Sequence, residues 1–235
     1  MTAPLLEVAG VVKNYHALRP LRVAALTVRE RERVALIGFD AAAAELLVNL
    51  LTGASLPDAG DIRVFGQRTA DIASGDEWLA SLDRFGLVSD RGVLLEGATV
   101  QQNLAMPFTL EIDPVPVDIA ARVARLAEDC GITAGSEGAA VLDRSAAQTG
   151  PEIRARMHLA RAIALDPGLL ILEHPTAHLP PSAHAAFAAD LVRVVDARGM
   201  AAVVITADET FARQVAPTRL KLNAATGELK KRGWF

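Results

Sequence analysis

Apolar and polar positions change their spacing several times along this chain, and each change predicts an element. Leu5–Tyr15 (LLEVAGVVKNY) and Leu21–Arg29 (LRVAALTVR) alternate in part, which predicts two strands joined by a short loop. After the charged turn ERER, the segment Arg33–Gly38 (RVALIG) is a continuous apolar run, the pattern of a strand covered on both faces. Ala41–Leu51 follows helical periodicity, and LPDAGDIRVFGQ carries a turn and a further strand. From Ser89 to about Gln148 the spacing predicts helices, in TVQQNLAMPF and in VDIAARVARLAEDCGI. Between them TLEIDPVPV (Thr109–Val117), with Pro114 and Pro116, reads as a loop of its own. Beyond Gly150 the pattern predicts helix (EIRARMHLARAIAL), strand (GLLILE), helix (AHAAFAADLVRVVDARG), strand (AAVVIT), helix (DETFARQVA) and a terminal hairpin around Asn223–Gly227. Strands alternating with helices imply an α/β core with a mostly parallel sheet, into which the helical middle is inserted.

Composition narrows the class. With 235 residues, 51% hydrophobic and 22% charged, the chain can bury one substantial core, and disorder is excluded for most of it. No apolar run reaches the roughly 18 residues of a membrane-spanning helix. The start, MTAPLLEVAG, lacks the basic and extended apolar parts of a secretion signal. The single cysteine, Cys130, leaves no internal disulfide and fits a reducing compartment. A net charge of −4 gives no electrostatic reason to expect nucleic acid. These features predict a cytoplasmic protein that meets a membrane only through a partner. The tail LKKRGWF reads as a solvated end with Trp234 packed locally.

One phrase carries a family likeness: LARAIALDPGLLILEHPTAHLPP, Leu159–Pro181. It resembles the segment of ABC transporter nucleotide-binding subunits in which a helix carrying L-A-R-A-L leads through D-P to a strand ending D-E-P-T-S-x-L-D. Leu159, Ala160, Arg161, Ala162, Asp166, Pro167, Pro175, Thr176 and Leu179 keep the family's residues. VVKNY, RVALIG, LTG and LLEGATVQQNLAMPF match in the same register, the last resembling the lipid-transport and lipoprotein-release branches. The likeness covers nearly the whole chain. It implies a P-loop NTPase (RecA-like) core with a mainly parallel sheet, an N-terminal antiparallel β subdomain and an inserted α-helical subdomain. In that division, residues 1–88 and 155–235 form the core with its β subdomain, and about 89–154 the helical subdomain.

The same register exposes what has been replaced. The family's phosphate loop, G-x-x-x-x-G-K-[ST], uses glycines at positive φ to aim backbone N–H groups at phosphates. Gly38 holds the first glycine position, Ala43 the second, Ala44 the lysine and Glu45 the residue that binds Mg²⁺. Glu45 puts a carboxylate at a helix start, where the dipole favours an anion, so the chain is expected to fill its own anion site. Glu173 and His174 stand for the metal-binding aspartate and the water-polarising glutamate, Ala207 for the switch histidine (followed by Asp208), and Asp90 for the metal-sensing glutamine. The signature L-S-G-G-Q aligns with Thr149, Gly150, Pro151, Glu152 and Ile153, where Pro151 removes a donor and Glu152 adds negative charge. Tyr15 stands where the family stacks an aromatic on adenine, although a lone tyrosine after a strand also serves as packing.

The resemblance therefore implies a catalytically degenerate subunit, a pseudo-ATPase, with ATP and Mg²⁺ bound weakly or not at all. Implied partners are a membrane subunit and an active ATPase subunit or a second copy. The membrane subunit's short helix would dock in a cleft lined from Asp90 to Phe108, with Leu94, Leu95, Val100, Leu104 and Met106 as contacts or, alternatively, plain core. Self-pairing around sandwiched ATP is disfavoured, because each site would face TGPEI. Two other readings stay open: a slow or ATP-binding subunit with a metal site rebuilt from Glu45, Glu173 and His174, and a stand-alone scaffold. His158 and His184 read as ordinary helix residues.

Overall fold

A computed structural model describes residues 3–89 and 91–231. The first strands, β1 (Pro4–Lys13) and β2 (Leu21–Arg29), pair antiparallel. β3 (Arg33–Ile37) leads into α1 (Ala41–Leu51), followed by β4 (Ala59–Val64) and the short β5 (Gln67–Arg68). α2 (Gly75–Leu82) and β6 (Phe85–Val88) come next; the apolar pattern did not mark either of them. α3 (Val100–Ala105) and α4 (Val117–Asp129) with several 3₁₀ turns make the helical middle, and the Thr109–Val117 stretch between them is loop up to α4. The remainder is α5 (Pro151–Ile163), β7 (Leu169–Glu173), α6 (His184–Arg198), β8 (Ala201–Ile205), α7 (Glu209–Val215) and the hairpin β9 (Thr218–Leu222) and β10 (Leu229–Lys231).

These strands form two sheets. The antiparallel sheet has the order β2-β1-β4-β5, and the larger one runs β10-β9-β3-β8-β7-β6. In the larger sheet every pairing is parallel except that of the terminal hairpin. The period of two along a strand explains the continuous apolar runs. Ala35, Ile37, Leu170, Leu172, Ala202 and Val204 point into a core shared with α3 to α7. Val34, Leu36, Leu169, Ile171, Ala201, Val203 and Ile205 point the other way, onto α1 and the antiparallel sheet. A strand buried on both faces has no polar side to alternate with, so it reads as one apolar block.

Local signals set the helix starts. Thr99 and Gln102 form a capping box at α3, each side chain bonding the other's backbone N–H. Buried Asn103 then accepts from the Leu95 N–H at 2.8 Å and donates to the carbonyls of Leu95 and Thr99, which holds the loop before α3 in one shape. Among the described residues no helix is long and apolar enough to cross a membrane.

Candidate functional site

The turn after β3 opens on a glycine and closes on a side-chain cap. Gly38 sits at φ +93°, where a side chain would be strained, and an added Cβ would stand 3.2 Å from the Leu222 carbonyl oxygen. Between Phe39 and Glu45 no residue takes positive φ. Asp40 is instead the N-cap of α1: its carboxylate accepts the Ala43 N–H at 2.8 Å and its carbonyl the Ala44 N–H at 2.9 Å. The amide at the second glycine position is therefore already engaged. Ala44, at the lysine position, is fully buried against the core.

The acidic side chain that caps this helix start is Asp40, five residues ahead of the expected Glu45. Helix geometry explains the correction. An N-cap side chain reaches the amide three residues on, whereas Glu45 lies inside the first turns with its carboxylate directed outward. Glu45 pairs with Arg91, on the loop after β6, and the second guanidinium nitrogen of Arg91 lies 2.7 Å from Glu173 Oε2. One side chain bridges the two positions assigned to the metal. Asp90 lies outside the described residues; its neighbour Arg91 is the group that the sequence reading missed. The available signal was an arginine one residue from a position whose two metal-site counterparts are both glutamates.

His174 sits in a strained backbone conformation. It follows β7 in the left-handed region, φ +44°, its N–H donates to the Ile205 carbonyl at 2.8 Å, and its Nε2 is buried with no hydrogen-bond partner. Among the described residues no group of three or more His, Cys, Asp or Glu is arranged to hold a metal ion, Glu45, Glu173 and His174 included. Asp208, next to Ala207, caps α7 by accepting the N–H groups of Thr210 and Phe211 at 2.9 Å. Its other oxygen is 2.8 Å from His184 Nδ1, while His184 Nε2 is 3.2 Å from the Leu179 carbonyl. His184 is therefore more than an ordinary helix residue: it ties the start of α6 to the loop after β7 and to α7. Burial raises the Asp208 pKa, but the hydrogen bonds from Phe211, His184 and Thr210 outweigh it and hold the carboxyl below its ordinary value.

At the signature-equivalent segment, Thr149 Oγ donates to the Ala146 carbonyl at 2.7 Å, Gly150 is the N-cap of α5 and Pro151 its first residue. A Glu152 carboxylate oxygen lies 3.2 Å from where a Cβ on Gly150 would stand, which places a negative group beside the helix start. Ile153 packs partly buried against the larger core. Tyr15 packs against the smaller core, with burial and the Asp40 charge raising its pKa. A cavity of about 420 Å³ opens between α5 and the end of β7, lined by Ser89, Thr149, Arg154, His158, Glu173 and His178. The turn from Gly38 to Glu45 does not line it.

The docking residues split. Leu94, Val100 and Leu104 are buried core, so they cannot be contacts; Leu95 is exposed and Met106 half-buried. Apolar spacing alone cannot separate the inner wall of a cleft from its lining. A groove of about 300 Å³ lies beside them, where edge strand β6 meets α5, lined by Leu82, Phe85, Leu87, Pro107, Ala162 and Leu165 with Asp83 and Arg161 at polar positions.

A mainly parallel sheet with a glycine turn before α1, an antiparallel sheet packed beside it and a helical insert define an α/β protein of the nucleotide-binding cassette class. The family model described as ABC transporter matches residues 21–177, and the chain belongs to that family. It is 31% identical over 237 residues to the lipoprotein-releasing system ATP-binding protein LolD of Myxococcus xanthus, covering 97% of this chain and 99% of the relative. LolD of Alcanivorax borkumensis is 28% identical over 215 residues, covering 90% and 91%. Among solved structures, CbiO1 of Clostridium perfringens, part of the ABC transporter complex cbiONQ, shares the fold with a TM-score of 0.79 at 19% identity, over 97% of this chain and 87% of that one.

Proposed function

We propose that this chain is a catalytically silent nucleotide-binding-type subunit of an ABC transporter complex, acting through its interfaces rather than through ATP turnover. The observation that carries this reading is the closed turn after β3. The Asp40 carboxylate occupies the amide that a phosphate needs, and the lysine position is a buried alanine. ATP brought to this turn meets the negative charge of Asp40 with no lysine to offset it, and the Glu45 carboxylate is already held by Arg91. Loss of even one charge-assisted contact costs about 1.5–3 kcal/mol, and several are lost together. At the start of α5, the Glu152 carboxylate beside Gly150 would add a negative charge where a nucleotide held by a second subunit would arrive. The retained core and the relatives named for lipoprotein release support assembly with a membrane subunit, which would hold the chain at the inner face of the membrane. Its helix would seat in the groove of Leu82, Phe85, Leu87 and Leu165.

Calorimetric titration of the purified chain with Mg-ATP, together with phosphate release, tests this. The expected outcome is no saturable heat at millimolar nucleotide and no turnover above a mock preparation. Micromolar binding or measurable turnover overturns it.

A further inference from the structure

The residues at the family's divalent-metal position do not suit a metal. The hydroxyl ligand is replaced by Glu45, and a guanidinium lies between the carboxylates of Glu45 and Glu173. A guanidinium is planar and always charged, and its separate nitrogens can hold two carboxylates that arrive from different elements. Here those elements are α1 and β7, while Arg91 itself comes from the loop that leads toward the helical middle. The loop is fixed at its other end as well. The Gly92 N–H donates to the Ser89 carbonyl at 3.2 Å, and Gly92 packs against the His158 ring of α5 so closely that an added Cβ would stand 3.0 Å from Nδ1. The His158 ring therefore leaves little room at position 92, and Arg91 beside it reaches both carboxylates.

We propose that Arg91 is a built-in cation that takes the place of the divalent metal, permanently latching the loop after β6 to α1 and β7. A bound metal ties such elements only while it is present; an arginine is part of the chain and never dissociates. The latch has a buried and an open end, since the Glu173 side chain is 6% exposed and that of Glu45 is 49% exposed. The Glu173 pairing is therefore less screened by water and salt than the Glu45 pairing. Two carboxylates flank the guanidinium, and removing it vacates a position between them that a divalent cation can take. This role rests on the reading of the site as silent, but its signature is a dependence on cations without nucleotide.

The test is thermal unfolding of wild type, Arg91→Ala and Arg91→Ala/Glu45→Gln in EDTA and in millimolar Mg²⁺ or Mn²⁺, with no nucleotide. Wild type is expected to melt at the same temperature in both conditions. Arg91→Ala is expected to melt lower by about 4 °C or more in EDTA and to regain at least half of that loss with the cation. The double variant is expected to lose the regain. If Arg91→Ala does not fold, Arg91→Gln takes its place; it removes the charge, keeps a polar side chain of similar reach, and is expected to show the same cation response with a smaller loss. Three results overturn the proposal: a cation-stabilised wild type, an unchanged Arg91 variant, or a lowered variant blind to cations, as a plain lost ion pair would give. Binding of ATP by wild type would overturn the silent reading and would leave these melting results unaffected.

Discussion

The carboxylate of Asp40 and the backbone N–H of Ala43 are joined at 2.8 Å across the first turn of α1, so this helix start is capped from within. Substituting an N-cap aspartate by alanine typically costs about 1 kcal/mol. Asp40→Ala is expected to lower stability by that amount in urea denaturation, with an unchanged m-value. It is also expected to leave ATP binding undetectable, because Ala44 and Glu45 remain. Saturable ATP binding by this single variant would mean that Asp40 alone closes the site.

Placing a lysine at position 44 is expected to do harm. Ala44 is fully buried between α1 and the smaller core, so a lysine there brings both excess volume and a charge into an apolar setting. Ala44→Lys should destabilise the chain by about 2 kcal/mol or more without restoring phosphate release. Activity in this variant would show that one contact, rather than the whole turn, had been lost.

How much of this was readable follows from where the signal sits. β3, β7 and β8 announce themselves because both faces are buried, and α1 and α5 because their apolar positions recur at helical spacing. The segment GDEWLASL, α2, has no buried residue, and β6 is a short edge strand, so neither leaves a clear pattern. The family positions of Ala44, Glu45, Glu173 and His174 are assigned by register, which is a local signal. The contacts these elements make are not local. Arg91 reaches Glu173 across 82 positions and His184 reaches Asp208 across 24, and no spacing rule marks such pairs.

The pairing of Asp208 with the start of α7 and with His184 makes a pH-dependent contribution. Its carboxyl is held below the ordinary value of about 3.9. A depressed folded-state pKa contributes stability that is fully present above the unfolded value and is lost as pH falls through the folded one. Asp208→Ala is therefore expected to cost about 1 kcal/mol at neutral pH, the usual value of a cap. That difference from wild type should hold down to about pH 5 and shrink below about pH 4. Denaturant melts of both proteins across that range check it; a difference that grows on acidification would contradict the assignment.

The groove at β6 separates surface from scaffold. Leu87 and Leu165 are 44% and 49% exposed, so a charge at either position meets water in the isolated chain. Surface substitutions of this kind usually stay within about 0.5 kcal/mol in stability. In a complex the same charge would be buried against an apolar helix, which costs several kcal/mol unless it is paired. Leu87→Glu and Leu165→Glu are therefore expected to keep the wild-type melting temperature while weakening co-purification with the membrane subunit at least tenfold, equivalent to about 1.4 kcal/mol. Leu104→Glu, at a fully buried position, supplies the contrast: it should lose fold and complex together. If the two groove variants retain full binding, the membrane subunit does not use this groove, and exposed Leu95 with half-buried Met106 becomes the next surface to charge.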